Sequence, residues 1–114
     1  MISFENDYST GAHPRILEAL AATNLEPAPG YGSDRFCESV AARIRAACDD
    51  ETADVFFLTG GTQTNAVVIS ALLAGHEGVI AADTGHIAVH EAGAIEATGH
   101  KVLTVPECDG KLRA

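Results

Sequence analysis

Three short apolar runs, separated by segments with helical spacing, most constrain this chain. Val55-Phe56-Phe57-Leu58 closes the first run, Asp54–Leu58. Gly78-Val79-Ile80-Ala81-Ala82 is the second and Lys101–Val105 the third. Runs of this length suit buried strands, and the spacers Asn65–Ala74 and His86–Ala97 suit helices. Strands alternating with helices through short connections predict a parallel sheet in an α/β fold.

Upstream the pattern differs. Residues 1–14 are polar and irregular, Pro14 suits a first helical position, and Arg15–Ala22 reads as a short helix. The stretch Asn24–Gly32 carries two prolines and two glycines and is expected to be an ordered loop or arm, with Tyr31 between glycines. From Ser33 to Cys48, Phe36, Cys37, Val40, Ala41, Ile44, Ala47 and Cys48 recur at helical spacing. Ser33 is the expected cap, Asp34 suits the positive end, and Glu38, Arg43 and Arg45 form a solvated face. The chain therefore divides, on this reading, into an arm, short helix and loop (1–32) and a sheet-forming region (33–114).

Composition narrows the partners. There are 7 Lys plus Arg against 16 Asp plus Glu, a formal charge of −9. Nucleic acid and anionic membranes need concentrated positive charge, so neither is an expected partner. No apolar run approaches the ~20 residues of a membrane span. The acidic start lacks the features of a signal peptide, which makes the cytoplasm the expected compartment. Cys37, Cys48 and Cys108 are odd in number and form no Cys-x-x-Cys, which disfavours a disulfide framework or thiolate zinc site. Cys37 and Cys48 are expected in a helix core.

The chemistry centres on Gly60-Gly61-Thr62-Gln63-Thr64-Asn65, between the first strand and its helix. Helix-start N–H groups have no internal partner and carry partial positive charge, so they can hold a phosphate. Glycines allow close approach, and Thr62 and Thr64 offer hydroxyls. Glycine also occurs in α/β turns only to reverse the chain, and that alternative stays open. Asp83-Thr84-Gly85-His86 follows the second strand, at the sheet edge where α/β ligands bind. His86 could stack on a flat ring, hydrogen-bond or exchange protons, or could simply cap the next helix. His86, His90 and Glu91 could suggest zinc, but no third ligand or His-Glu-x-x-His is evident, and no metal is expected. His13, His76 and His100 are expected at the surface. Gly-x-Gly-x-x-Gly, the P-loop and Gly-x-Ser-x-Gly are all missing.

Asn6-Asp7, Tyr31-Gly32-Ser33-Asp34, the Gly-Thr-x-x-Asn turn at Gly61–Asn65, Asp83-Thr84-Gly85-His86-Ile87 and Glu91-Ala92-Gly93-Ala94 appear in this order. Together they resemble the N-terminal third of low-specificity threonine aldolases, within the β-eliminating lyases, from about Phe4 to Gly110. The resemblance implies the first part of a fold type I (aminotransferase-like) large domain, αβα with a mainly parallel sheet, incomplete here. It implies pyridoxal 5'-phosphate as cofactor and a β-hydroxy amino acid, such as threonine or allo-threonine, as substrate. It also implies a homodimer or homotetramer.

By the same resemblance, Gly61 and Thr62 hold the phosphate with Gly60 adjoining. His86 stacks on the pyridine ring and serves proton transfer. Asn6 and Tyr31 serve substrate binding, and Asp34, Asn65 and Glu91 support the site. Glu5-Asn6-Asp7 and Gly60 depart from the usual family residues, which bears on substrate preference. In the family the Schiff-base lysine, the acid facing the pyridine nitrogen and the carboxylate-binding arginines come later. Neither Lys101 nor Lys111 follows a Schiff-base motif, so these 114 residues alone are expected to be inactive. A β-eliminating amino-acid lyase of the same fold and a non-catalytic α/β interaction module are the alternatives. In aminotransferase-like sheets the first strand pairs far from the second and third, so Asp54–Leu58 is expected to lack its neighbours.

Overall fold

A computed structural model describes Glu5, Asn6 and residues 8–113. Asp7 of the Asn6-Asp7 pair lies outside the described residues. The chain divides into two compact units, Met1–Val55 and Phe56–Ala114.

The first unit holds two helices. Helix α1 spans Pro14–Thr23, with proline in its first turn and His13 Nδ1 accepting from the Arg15 N–H. Helix α2 spans Arg35–Cys48. Its cap is Asp34, not Ser33: Asp34 Oδ1 accepts from the N–H groups of Phe36 and Cys37, both at 2.9 Å. A carboxylate there satisfies orphan amides and faces the positive end of the helix. Asp49, in the left-handed region at φ 53°, ends it. Arg45 leaves the predicted solvated face, its Nε donating to Ala53 O at 2.8 Å. Cys37 is half-buried but Cys48 is exposed. Ala41 is the buried residue of α2, so the expected cysteine core holds only in part. Cys48 occupies the last helical turn, just before the left-handed Asp49 turns the chain away.

In the second unit, helix α3 (Gly61–Leu72) is followed by strand β1 (Gly78–Ala82), helix α4 (His86–Val89), a 3-10 turn (Glu96–Thr98) and strand β2 (Lys101–Val105). The two strands pair in parallel, from Gly78 opposite Lys101 to Ala82 opposite Val105. Both sit at their predicted positions. Asp54–Leu58 does not form the expected strand. A strand needs a ladder partner, and none of the described residues pairs with this run. Phe56 is 81% exposed in consequence.

The core of this unit is Ile95, fully buried, with Ala81 and Val102, flanked by Ala66, Ile69, Val79, Ile87 and Ala88. One face of the sheet thus meets α3 and the β1–β2 connection. Gly78 is required by proximity: a Cβ there would lie 2.7 Å from the Lys101 carbonyl oxygen. The expected helix over His86–Ala97 is broken. Ala92 and Gly93 adopt φ 51° and 77°, and a right-handed helix cannot run through two left-handed residues. The break carries Glu91 and Ile95 inward. His100 is buried rather than at the surface, with Nδ1 3.1 Å from the Glu77 carbonyl oxygen, which it satisfies.

Candidate functional site

The glycine turn enters α3 without a side-chain cap at Gly60. Instead, the turn is braced from inside the helix. Gln63 Oε1 accepts from both the N–H and the hydroxyl of Thr59, at 2.9 and 2.8 Å. The Thr64 hydroxyl donates to Gly60 O at 2.9 Å. Thr64 is therefore occupied within the helix, unlike the free donor expected of it. The first backbone bond is Thr64 N–H to Gly60 O at 3.0 Å. The N–H groups of Gly61, Thr62 and Gln63 find no acceptor among the described residues. Three unpaired amide donors at a helix start, with open space around Gly60 and Gly61, carry partial positive charge suited to an anion. No Lys or Arg stands in the turn, so its positive character comes from the backbone alone.

Four residues deeper in the helix, Asn65 joins this turn to the predicted histidine. Its Nδ2 donates to Glu91 Oε1 at 2.6 Å. The same oxygen lies 2.8 Å from His86 Nδ1. The Glu91 side chain is fully buried, while that of His86 is two-thirds exposed. Buried carboxylates demand such partners, and bonds to a charged group are the stronger kind. Glu91 Oε2 is buried with no partner. Glu91 thus holds His86 by one ring nitrogen and leaves the ring itself open. His90 lies beside it, ring centroids 5.4 Å apart and tilted by 52°. Among the described residues no group of three or more His, Cys, Asp or Glu is arranged to hold a metal ion.

Gly60, Gly61, Thr62, Asn65, His86 and Glu91 therefore all belong to the second unit, and the last three form one hydrogen-bonded chain. Asn6, Tyr31 and Asp34 belong to the first. Asn6 Oδ1 accepts from the N–H groups of Tyr8 and Ser9, shaping the local turn. Tyr31 is fully exposed at φ 62°, a conformation uncommon outside glycine. Asp34 caps α2, and hydrogen bonds from the Cys37 thiol and the Cys37 N–H hold its carboxyl below the usual value. The thiol is pushed up reciprocally. Lys101 opens β2, and Lys111 forms an isolated bridge with Cys108. Sequence reasoning missed Gln63 as the brace of the turn. Glutamine at the third helical position is the signal that could have found it.

The uncapped amides, the free Thr62 hydroxyl and the exposed, tethered imidazole fit a cofactor with one phosphate and one flat heteroaromatic ring. The comparisons with known proteins agree in direction. The family model described as beta-eliminating lyase matches residues 4–114. The chain is 31% identical over 111 residues to a low-specificity L-threonine aldolase of a Pseudomonas species. It is 30% identical over 111 residues to the enzyme of that name from Pseudomonas aeruginosa. Each alignment covers 96% of this chain and 32% of the relative. A solved structure of Leishmania major threonine aldolase superposes with a TM-score of 0.90 at 52% identity, covering 95% of this chain and 32% of that one. The chain thus spans about a third of the length of the relatives it matches.

Proposed function

The chain belongs to the beta-eliminating lyase family, and from that premise we propose that it forms part of a pyridoxal-phosphate-dependent aldehyde-lyase of threonine aldolase type. Its substrate is a β-hydroxy amino acid, threonine or allo-threonine, cleaved to glycine and acetaldehyde. The observation that carries this reading is the bond chain from Asn65 through Glu91 to His86. It ties the helix behind the glycine turn to the exposed imidazole of His86.

In this reading the Gly61 and Thr62 amides and the Thr62 hydroxyl hold the cofactor phosphate, with Gly60 giving access. The His86 ring would stack against the pyridine ring and could take or return a proton at its ring nitrogen. When bound, pyridoxal phosphate supplies an electron sink for the electron pair of the Cα–Cβ bond. Glu91 and Asn65 keep His86 in place. By the family resemblance Asn6 and Tyr31 would serve substrate binding, and Asp34 fixes the start of α2. Residues 1–32 are an arm, helix and loop, and 33–114 the first part of the cofactor-binding large domain. The complete enzyme is a homodimer or homotetramer. The cytoplasm is the proposed compartment; among the described residues no helix is long and apolar enough to cross a membrane. Neither Lys101 nor Lys111 is assigned the covalent anchor, so these residues alone are inactive.

The test is a product assay on the complete protein that carries these residues. Glycine and acetaldehyde in equal amounts from L-threonine or L-allo-threonine are the expected products. Ammonia and a keto acid would assign β-elimination instead. An interaction module would show neither reaction and would tolerate Thr62→Ala and His86→Ala.

A further inference from the structure

The bond between Glu91 and His86 does more than anchor a ring. An ionised Glu91 only accepts hydrogen bonds, so opposite it the proton of a neutral His86 imidazole sits on Nδ1, 2.8 Å from Glu91 Oε1. A free histidine side chain prefers the opposite form, with the proton on Nε2. We infer that Glu91 is a positioning residue that forces His86 into the Nδ1–H form, so that Nε2 presents a bare lone pair on the exposed side of the molecule.

The surroundings make this constraint strong. Glu91 is 5% exposed and its side chain is fully buried. Asn65 Nδ2 donates to the same oxygen at 2.6 Å, which fixes the carboxylate from the α3 side. Its other oxygen makes no bond, so rotating the carboxylate would gain no partner. His86 stands in the opposite situation, two-thirds exposed and held by Nδ1 alone among the described residues. Proton-donating and proton-accepting rings are chemically distinct, and the second-shell partner selects between them. With Nε2 bare, His86 can take a proton or accept a hydrogen bond from what lies against it. In the other form it could only donate from that nitrogen. The meaning of this for catalysis rests on the proposed cofactor site, but the tautomer is a property of the chain itself.

The test is long-range proton–nitrogen correlation NMR of the 15N-labelled chain at about pH 8.5, well above the ~6.5 of an ordinary histidine. His86 should show a protonated Nδ1 and an unprotonated Nε2. His90, whose ring makes no hydrogen bond among the described residues, should show the reverse preference and serves as the internal standard. Glu91→Leu should move His86 to the His90 pattern. Glu91→Gln keeps a carbonyl oxygen that can accept from both Asn65 and His86, and should restore the Nδ1–H form. A wild-type His86 carrying its proton on Nε2 overturns the inference, whether or not the leucine variant folds. So does a folded Glu91→Leu chain with His86 unchanged. Either result leaves the phosphate site standing. Conversely, failure of pyridoxal phosphate to perturb the Gly61 and Thr62 amides removes the cofactor reading and leaves the tautomer intact.

Discussion

Replacing Asn65 with alanine should loosen the second unit by an amount the structure allows to be worked out. Asn65 gives Glu91 Oε1 one of its two hydrogen bonds, and the other oxygen has none. A bond to a charged group contributes about 1.5–3 kcal/mol, the more so where water cannot replace it. Glu91 is buried, so a small alanine admits little water to compensate. Alanine is the better helix former and returns roughly 0.5 kcal/mol in the middle of α3. The net loss is about 1–2.5 kcal/mol, a roughly 5- to 70-fold fall in the ratio of folded to unfolded chain. Hydrogen exchange at the amides of Ile95 and Val102 reads this directly, because both belong to the core of that unit. In a Glu91→Leu background, Asn65→Ala should cost nothing, since the carboxylate it served is gone. A loss below about 0.5 kcal/mol in the wild-type background would mean that the Asn65–Glu91 bond does not stabilise this unit. An equal loss in both backgrounds would mean that the loss does not come from that bond.

Other consequences follow from single residues. Gly78→Ala drives a methyl group against the Lys101 carbonyl across the β1–β2 pair and should cost about 1–3 kcal/mol, read as a lowered thermal midpoint. Ile95→Ala should cost about 2–5 kcal/mol in the same measurement, because Ile95 is fully buried. Asp34 has a folded value depressed below 3.8, so its capping contribution is complete above that value and lost as pH falls through the depressed one. Helical circular dichroism should therefore drop in acid below about pH 4, and Asp34→Asn should flatten the part of that drop belonging to α2. Borohydride treatment of the chain with pyridoxal phosphate should trap no stoichiometric adduct at Lys101 or Lys111; such an adduct, located by peptide mass spectrometry, would overturn the assignment of the anchor elsewhere.

Much of this was readable in the residues, for physical reasons that also explain the failures. Gly78–Ala82 and Lys101–Val105 are short, β-branched and bounded by turn residues, and they pair with one another, so local pattern and tertiary environment agree. Asp54–Leu58 has the same character but no ladder partner among the described residues. Apolar pattern reports what a strand would bury, not whether a neighbour is there to pair with it. His86–Ala97 read as one helix because its apolar spacing is helical, yet Ala92 takes a left-handed conformation that alanine does not advertise. That bend is what brings Glu91 inward. The candidates Gly61 and Thr62 stood out by turn chemistry alone, since the run before them forms no strand, and His86 by its position after β1. The roles of Asn65 and Glu91 came only through family resemblance, because their contact spans 26 residues and leaves no local signal. Ser33 and Asp34 are both good caps, and only the backbone decides that the carboxylate is used.

On the proposed function, the Gly60–Asn65 turn and His86 form one half of a pyridoxal phosphate site. Titrating pyridoxal phosphate into the 15N-labelled chain, with inorganic phosphate as the comparison, tests it most directly. Both ligands should shift the Gly61, Thr62 and Gln63 amides, and only pyridoxal phosphate should also shift the His86 ring. Thr62→Ala should weaken both responses. Unmoved helix-start amides, or a His86 ring that responds no differently to the two ligands, would contradict it.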